Sequence, residues 1–168
     1  MSQAAKPGRH LSMEPIQVLN EELQMTATTA PVNHHQQIPG IAQTLGGVSA
    51  SFAKEGLDPK LQHLVDLRVS QINQCAFCVK MHIKEALAAG EYSERLERLI
   101  VWRHVDDFSE KEKAALAYAE ALTYMKSEQS YGPLRAELRK HFTEAEISLL
   151  TAAIGMINLW NRVQISNY

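Results

Sequence analysis

The sequence predicts an all-α fold, and three observations carry that expectation. Apolar residues recur at helical spacing, as at Ile41, Leu45, Val48 and Phe52. Helix-start signals punctuate the chain at Asp58-Pro59, Ser109-Glu110-Lys111-Glu112 and Thr143-Glu144-Ala145-Glu146, the last two with the form of a capping box. No hairpin turn joins two alternating runs anywhere.

Taken in order, residues 1–13 are polar and small and read as a disordered tail, leaving residues 14–168 as one helical domain. Ser12 to Leu23 suits a short helix with Pro15 in its first turn. Thr26 to Gln37, with Pro31, Asn33 and the pair His34-His35, reads as a loop whose histidines are solvated. Pro39 to Glu55 forms a helix that stops at Gly56, with Gly46-Gly47 weakening it midway. Asp58 caps and Pro59 opens a helix to about Ile72. Asn73-Gln74 breaks that run, and a second helix extends from Cys75 to Ala89, ending at Gly90. Ser93 caps a short helix across Leu96, Leu99 and Ile100. The first capping box opens a helix over Leu116, Ala119 and Leu122, and Gly132-Pro133 starts a short one. The second capping box opens a final helix to about Ile165. That makes roughly seven or eight helices.

With 168 residues, 45% of them hydrophobic and 21% charged, the chain suits one soluble domain with a proper core. A net charge of −2 and the lack of a basic stripe argue against a nucleic-acid partner. The longest apolar stretch, Leu149 to Trp160, is interrupted by Thr151, Gly155 and Asn158 and is too short for a bilayer. No apolar segment follows Lys6 and Arg9, so no signal peptide is expected. The expected location is the cytoplasm, where a lone Cys-x-x-Cys is catalytic or metal-binding rather than structural.

Both cysteines fall in Gln74-Cys75-Ala76-Phe77-Cys78-Val79-Lys80-Met81-His82. On a helix, Cys75, Cys78 and His82 share a face. Two thiols beside a base make either a redox centre or a metal site, the latter as a Cys2His2 set with His63. A helix N-terminus stabilises thiolate and brings a cysteine pKa down to roughly 3.5–7.5. The spacing lets the sulfurs cycle between dithiol and disulfide, with His82 taking the thiol proton. Asn158, Trp160, Asn161 and Arg162 read as helix packing or a subunit interface, and Tyr118 and Tyr124 as core or interface.

The run from Leu64 through Cys78 to His82 resembles the core of the alkylhydroperoxidase AhpD-like proteins, within the carboxymuconolactone decarboxylase superfamily. Ala88-Ala89-Gly90-Glu91, Trp102-Arg103, the run from Glu112 to Thr123, and Ile157 to Arg162 extend the likeness over about residues 39 to 165. The resemblance implies an all-helical homo-oligomer, a trimer or hexamer, with thiol peroxidase or disulfide reductase activity. It implies that Cys78 attacks a hydroperoxide and becomes a sulfenic acid, which Cys75 resolves to a disulfide. An external dithiol, lipoyl-type or thioredoxin-like, then restores the pair, and no cofactor, nucleic acid or membrane is called for. His82 matches the histidine of the proton relay.

Twelve residues before Cys75, where members often carry the relay glutamate, stands His63, and Phe77 replaces a histidine found in some. The relay expected here is His63–His82–Cys78, with Asp66, one turn after His63, as a candidate for the missing acid. Weaker or differently tuned peroxidase activity follows from that exchange. The competing readings are a metal-binding or redox-sensing helical module, and the decarboxylase branch, which generally lacks the Cys-x-x-Cys.

Overall fold

The computed structural model of the protein describes Gln17 and residues 29–168. The expected tail and, but for Gln17, the expected helix from Ser12 to Leu23 lie outside the described residues. Residues 33–168 form one compact unit. Its elements are α1 (His34–Gln37), α2 (Pro39–Lys54), α3 (Pro59–Ile72), α4 (Ala76–Ala88), α5 (Ser93–Arg98) running into a 3₁₀ turn (Leu99–His104), α6 (Glu110–Tyr124), α7 (Gly132–Leu138) and α8 (Glu144–Ile165). No strand occurs among the described residues, and no helix there is long and apolar enough to cross a membrane. The all-α expectation holds.

α3 is the axis of the unit because it is apolar on more than one face. Leu61, Val65 and Val69 pack against Ala115 and Ala119 of α6 and Leu150 and Ile154 of α8. Leu64 and Leu67 point the other way, into Leu99, Trp102, Phe108 and Leu116. The alanines of α6 let that helix approach α3 closely, and each fully buried leucine stabilises the fold by about 1.5–3 kcal/mol. α4 also lies along α3, which is what brings the cysteine-bearing helix beside His63 and Asp66.

The boundaries follow the sequence signals. Asp58 Oδ1 accepts the Lys60 N–H at 2.9 Å, and both predicted capping boxes are formed, at Ser109/Glu112 and Thr143/Glu146. Gly56 and Gly90 take φ of 107° and 84°, the left-handed conformation that ends α2 and α4. One cap and two stretches differ from expectation: Ser93 is the first residue of α5, with Tyr92 at the cap position and no side-chain cap. His34–Gln37 is a helical turn, not loop, because the Asn33 side chain accepts the Gln36 N–H and caps it. Leu99–His104 is a 3₁₀ turn with a kink at Val101, and its three-residue period puts both Leu99 and Trp102 inside.

Candidate active site

The site begins at the turn between α3 and α4. Gln74 adopts φ 59°, a conformation that costs a side-chain-bearing residue roughly 1 kcal/mol or more. The turn is held by hydrogen bonds that outweigh this. The Cys75 N–H donates to the Ser70 carbonyl at 3.0 Å. Asn73 Nδ2 donates to Asn158 Oδ1 at 3.0 Å and Asn161 Oδ1 at 2.9 Å, while Asn161 Nδ2 donates to Ser70 Oγ at 3.0 Å. Asn161 is fully buried. The polar residues of α8, expected to serve packing or an interface, thus also fix the backbone that presents Cys75.

Cys75 is the N-cap of α4. Its Sγ accepts the Cys78 N–H at 3.4 Å, and the two cysteines are joined as a disulfide with Cα atoms 5.4 Å apart. Both sulfurs are buried, but their surroundings differ. The Tyr168 hydroxyl donates to Cys75 Sγ at 3.8 Å and accepts the Phe77 N–H at 3.3 Å. Cys78, in contrast, lines a cavity of about 520 Å³ whose walls include Phe52, Met81, Met156, Ile157 and Trp160. His35 is exposed, as expected, but also stacks on Trp160 with ring centroids 5.7 Å apart and lines the cavity.

One turn beyond Cys78, the buried His82 meets a residue that sequence reasoning missed. Its Nδ1 lies 2.9 Å from Glu85 Oε2. Burial pushes the His82 pKa down by more than Glu85 pulls it up, so the ring is neutral at pH 7. A carboxylate only accepts, which places the hydrogen on Nδ1 and leaves Nε2 with the lone pair. That Nε2 is buried and has no partner. His63 Nδ1 is 3.8 Å from the same Glu85 oxygen, beyond hydrogen-bond reach, and is likewise without a partner.

Asp66 also lines the cavity but makes no hydrogen bond to His82. Asp66 Oδ2 accepts one long hydrogen bond, from Gln62 Nε2 at 3.4 Å, and burial pushes the Asp66 pKa up to about 8, so it is a neutral acid at pH 7. The acid against His82 is Glu85, three residues on along α4. The signal was present in the sequence as His-x-x-Glu, since residues three apart are neighbours on a helix.

A second missed acid, Glu120, sits on the far side of α3. It accepts from Arg68 Nε at 2.7 Å, Trp102 Nε1 at 2.9 Å and the Arg103 guanidinium. Burial opposes its ionisation, but these donors outweigh it and hold the pKa below the usual carboxylate range.

Residues 40–121 match the model of the Carboxymuconolactone decarboxylase family. The chain is 38% identical over 135 residues to the uncharacterised protein YdfG of Bacillus subtilis, covering 80% of this chain and 92% of YdfG. It is 35% identical over 103 residues to the uncharacterised YnjA of Escherichia coli, covering 61% of this chain and 56% of YnjA. Among solved structures it resembles ATU0492 of Agrobacterium tumefaciens, a protein of unknown function provisionally described as the antioxidant defence protein AhpD. That match has a TM-score of 0.78 and 33% identity, over 82% of this chain and 94% of that one. A peroxidase-related protein from Silicibacter shares the fold at a TM-score of 0.66 and 20% identity, over 96% and 86% of the two chains.

Proposed function

The chain belongs to the carboxymuconolactone decarboxylase family as an AhpD-like member, and from that premise we propose that it is a thiol-dependent peroxidase. The observation that carries this reading is the Cys75–Cys78 pair at the head of α4, with one sulfur on a cavity shared with a neutral His82. In the reduced protein, His82 Nε2 takes the Cys78 proton, while the helix N-terminus favours the thiolate. Glu85 holds the His82 ring and fixes the tautomer, the work expected of an acid at position 63.

Cys78 Sγ attacks the distal oxygen of a hydroperoxide. The S–O bond forms, the O–O bond breaks, and the alkoxide leaves as alcohol with the proton held by His82. Cys75 then attacks the Cys78 sulfenic acid, so that an S–S bond forms and hydroxide leaves as water with the Cys75 proton. Two electrons have passed from the thiol pair to the peroxide. An external dithiol, lipoyl-type or thioredoxin-like, returns them by thiol–disulfide exchange. Exposed Ile83 and Leu87 on α4 support a covered face, in keeping with a homo-oligomer of three or six chains.

The test is to reduce the protein, add a stoichiometric alkyl hydroperoxide and count thiols. Loss of two thiols per chain, with a Cys75–Cys78 disulfide by mass spectrometry, is expected. Cys78→Ser should abolish peroxide consumption, and Cys75→Ser should stall at the sulfenic acid. Peroxide turnover that survives Cys78→Ser overturns the assignment.

A further inference from the structure

We infer that His63, His82 and Glu85 form a three-ligand site for one divalent transition-metal ion of the zinc type, independent of the thiols. One ligand atom from each of the three lies within 4.8 Å of the others. Glu85 Oε2 is at the centre, 2.9 Å from His82 Nδ1 and 3.8 Å from His63 Nδ1. In a tetrahedral zinc site with bonds near 2.0–2.2 Å, ligand atoms stand roughly 3.4 Å apart. The widest separation, no more than 4.8 Å, closes by at most about 1.4 Å, and the Glu85–His82 pair opens by roughly 0.5 Å. His63 and Glu85 are both only half-buried, so their side chains have room to make these shifts.

A second observation points to the same ligand. The His63 Nδ1 atom is buried and lacks any hydrogen-bond partner, an uncommon and costly state for a ring nitrogen. It stands 3.8 Å from a carboxylate oxygen, too far to bond to it and close enough to share an ion with it. Two imidazoles and one carboxylate, with the remaining coordination positions facing a cavity, is the ligand set of open zinc sites and of other divalent first-row metals.

The set differs from the Cys2His2 arrangement weighed from the sequence. In the disulfide neither Cys75 nor Cys78 offers a thiolate, so the oxidised protein presents the two histidines and the carboxylate without competing sulfur ligands. Occupation has a consequence for His82. A metal on Nδ1 moves the ring hydrogen to Nε2, which changes that atom from a proton acceptor to a donor. This consequence bears on the peroxidase reading, but the site itself does not rest on it.

The experiment uses the oxidised protein and Co²⁺ as a spectroscopic substitute, followed by competition with Zn²⁺. One Co²⁺ per chain is expected, with ligand-field bands and no sulfur-to-metal charge transfer. Zinc should shift the ¹⁵N resonances of the His82 ring from the Nδ1–H to the Nε2–H tautomer. His63→Ala and Glu85→Gln should each weaken binding by at least roughly tenfold, with the folded circular-dichroism spectrum kept. The Cys75→Ser/Cys78→Ser variant should bind as the parent does. Absence of saturable one-to-one binding overturns the inference, as does undiminished affinity in both single variants. A charge-transfer band that disappears with the cysteines also overturns it. Metal binding that persists in a protein with no peroxide turnover removes the peroxidase reading and leaves the site standing.

Discussion

Glu120 and Asp66 are both acids buried among apolar helices, one on each side of the same axis, and one is ionised at pH 7 while the other is neutral. Glu120 receives Arg68, Trp102 and Arg103 and stays ionised. Asp66 has one long contact from Gln62 and keeps its proton to about pH 8. Burial is common to both, so the number and charge of the donors decide the difference. Around Glu120, no buried side-chain atom of Glu120, Arg68 or Trp102 is left without a partner. The Asp66 side faces a cavity and includes partnerless nitrogens on His63 and His82. Cys78 of the disulfide opens onto the incomplete side, beside those partnerless nitrogens.

The strongest way to break the contrast is Glu120→Ala. It strands the Arg68 charge and the Trp102 N–H, and should cost about 3–5 kcal/mol in urea unfolding. A loss below about 1 kcal/mol would mean the network is not structural.

Asp66 tests the other half. Its folded pKa of about 8 lies above the ordinary 3.8, so between those values the folded state binds more protons than the unfolded chain. Its contribution to stability is full below 3.8 and declines as pH rises to about 8. Asp66→Asn, which resembles the neutral acid, should flatten that decline and stabilise the protein at pH 9 by at least about 2 kcal/mol. Parallel stability profiles for parent and variant from pH 5 to 9 would show that Asp66 ionises freely.

The smallest effect sharpens the cavity side. Glu85→Gln retains a partner for His82 but removes the charge, and should slow peroxide oxidation of Cys78 by about tenfold, or ~1.4 kcal/mol. His63→Glu, which restores the acid expected at that position, should raise turnover. An unchanged rate in both variants would detach the relay from these carboxylates.

Much of the fold was legible because its signals are local. Asp58, Ser109 and Thr143 cap the helices they precede, and Gly56 and Gly90 end two others. The shared face of Cys75, Cys78 and His82 was legible for the same reason. What escaped depends on partners far apart in the chain or on the direction of a ring. Glu120 reaches Arg68 across 52 residues, and Asn73 reaches Asn161 across 88. No periodicity reports such pairs. Glu85 is only three residues from His82, but its role depends on which ring nitrogen turns toward it and on His63 arriving from another helix. Asp66 had the right chemistry at the right spacing from His63, yet α3 carries it into a place with one weak donor.

The tyrosine hydroxyl against Cys75 gives the disulfide a sidedness. One sulfur opens onto the cavity, and the other lies under a ring that is itself 70% exposed. Small molecules held among the cavity's apolar walls therefore meet Cys78, while a reagent approaching Cys75 from outside must first displace Tyr168. On the proposed peroxidase reading, oxidant and reductant would have separate approaches to one bond, and altering the Tyr168 side chain alone would change the second approach without touching the first.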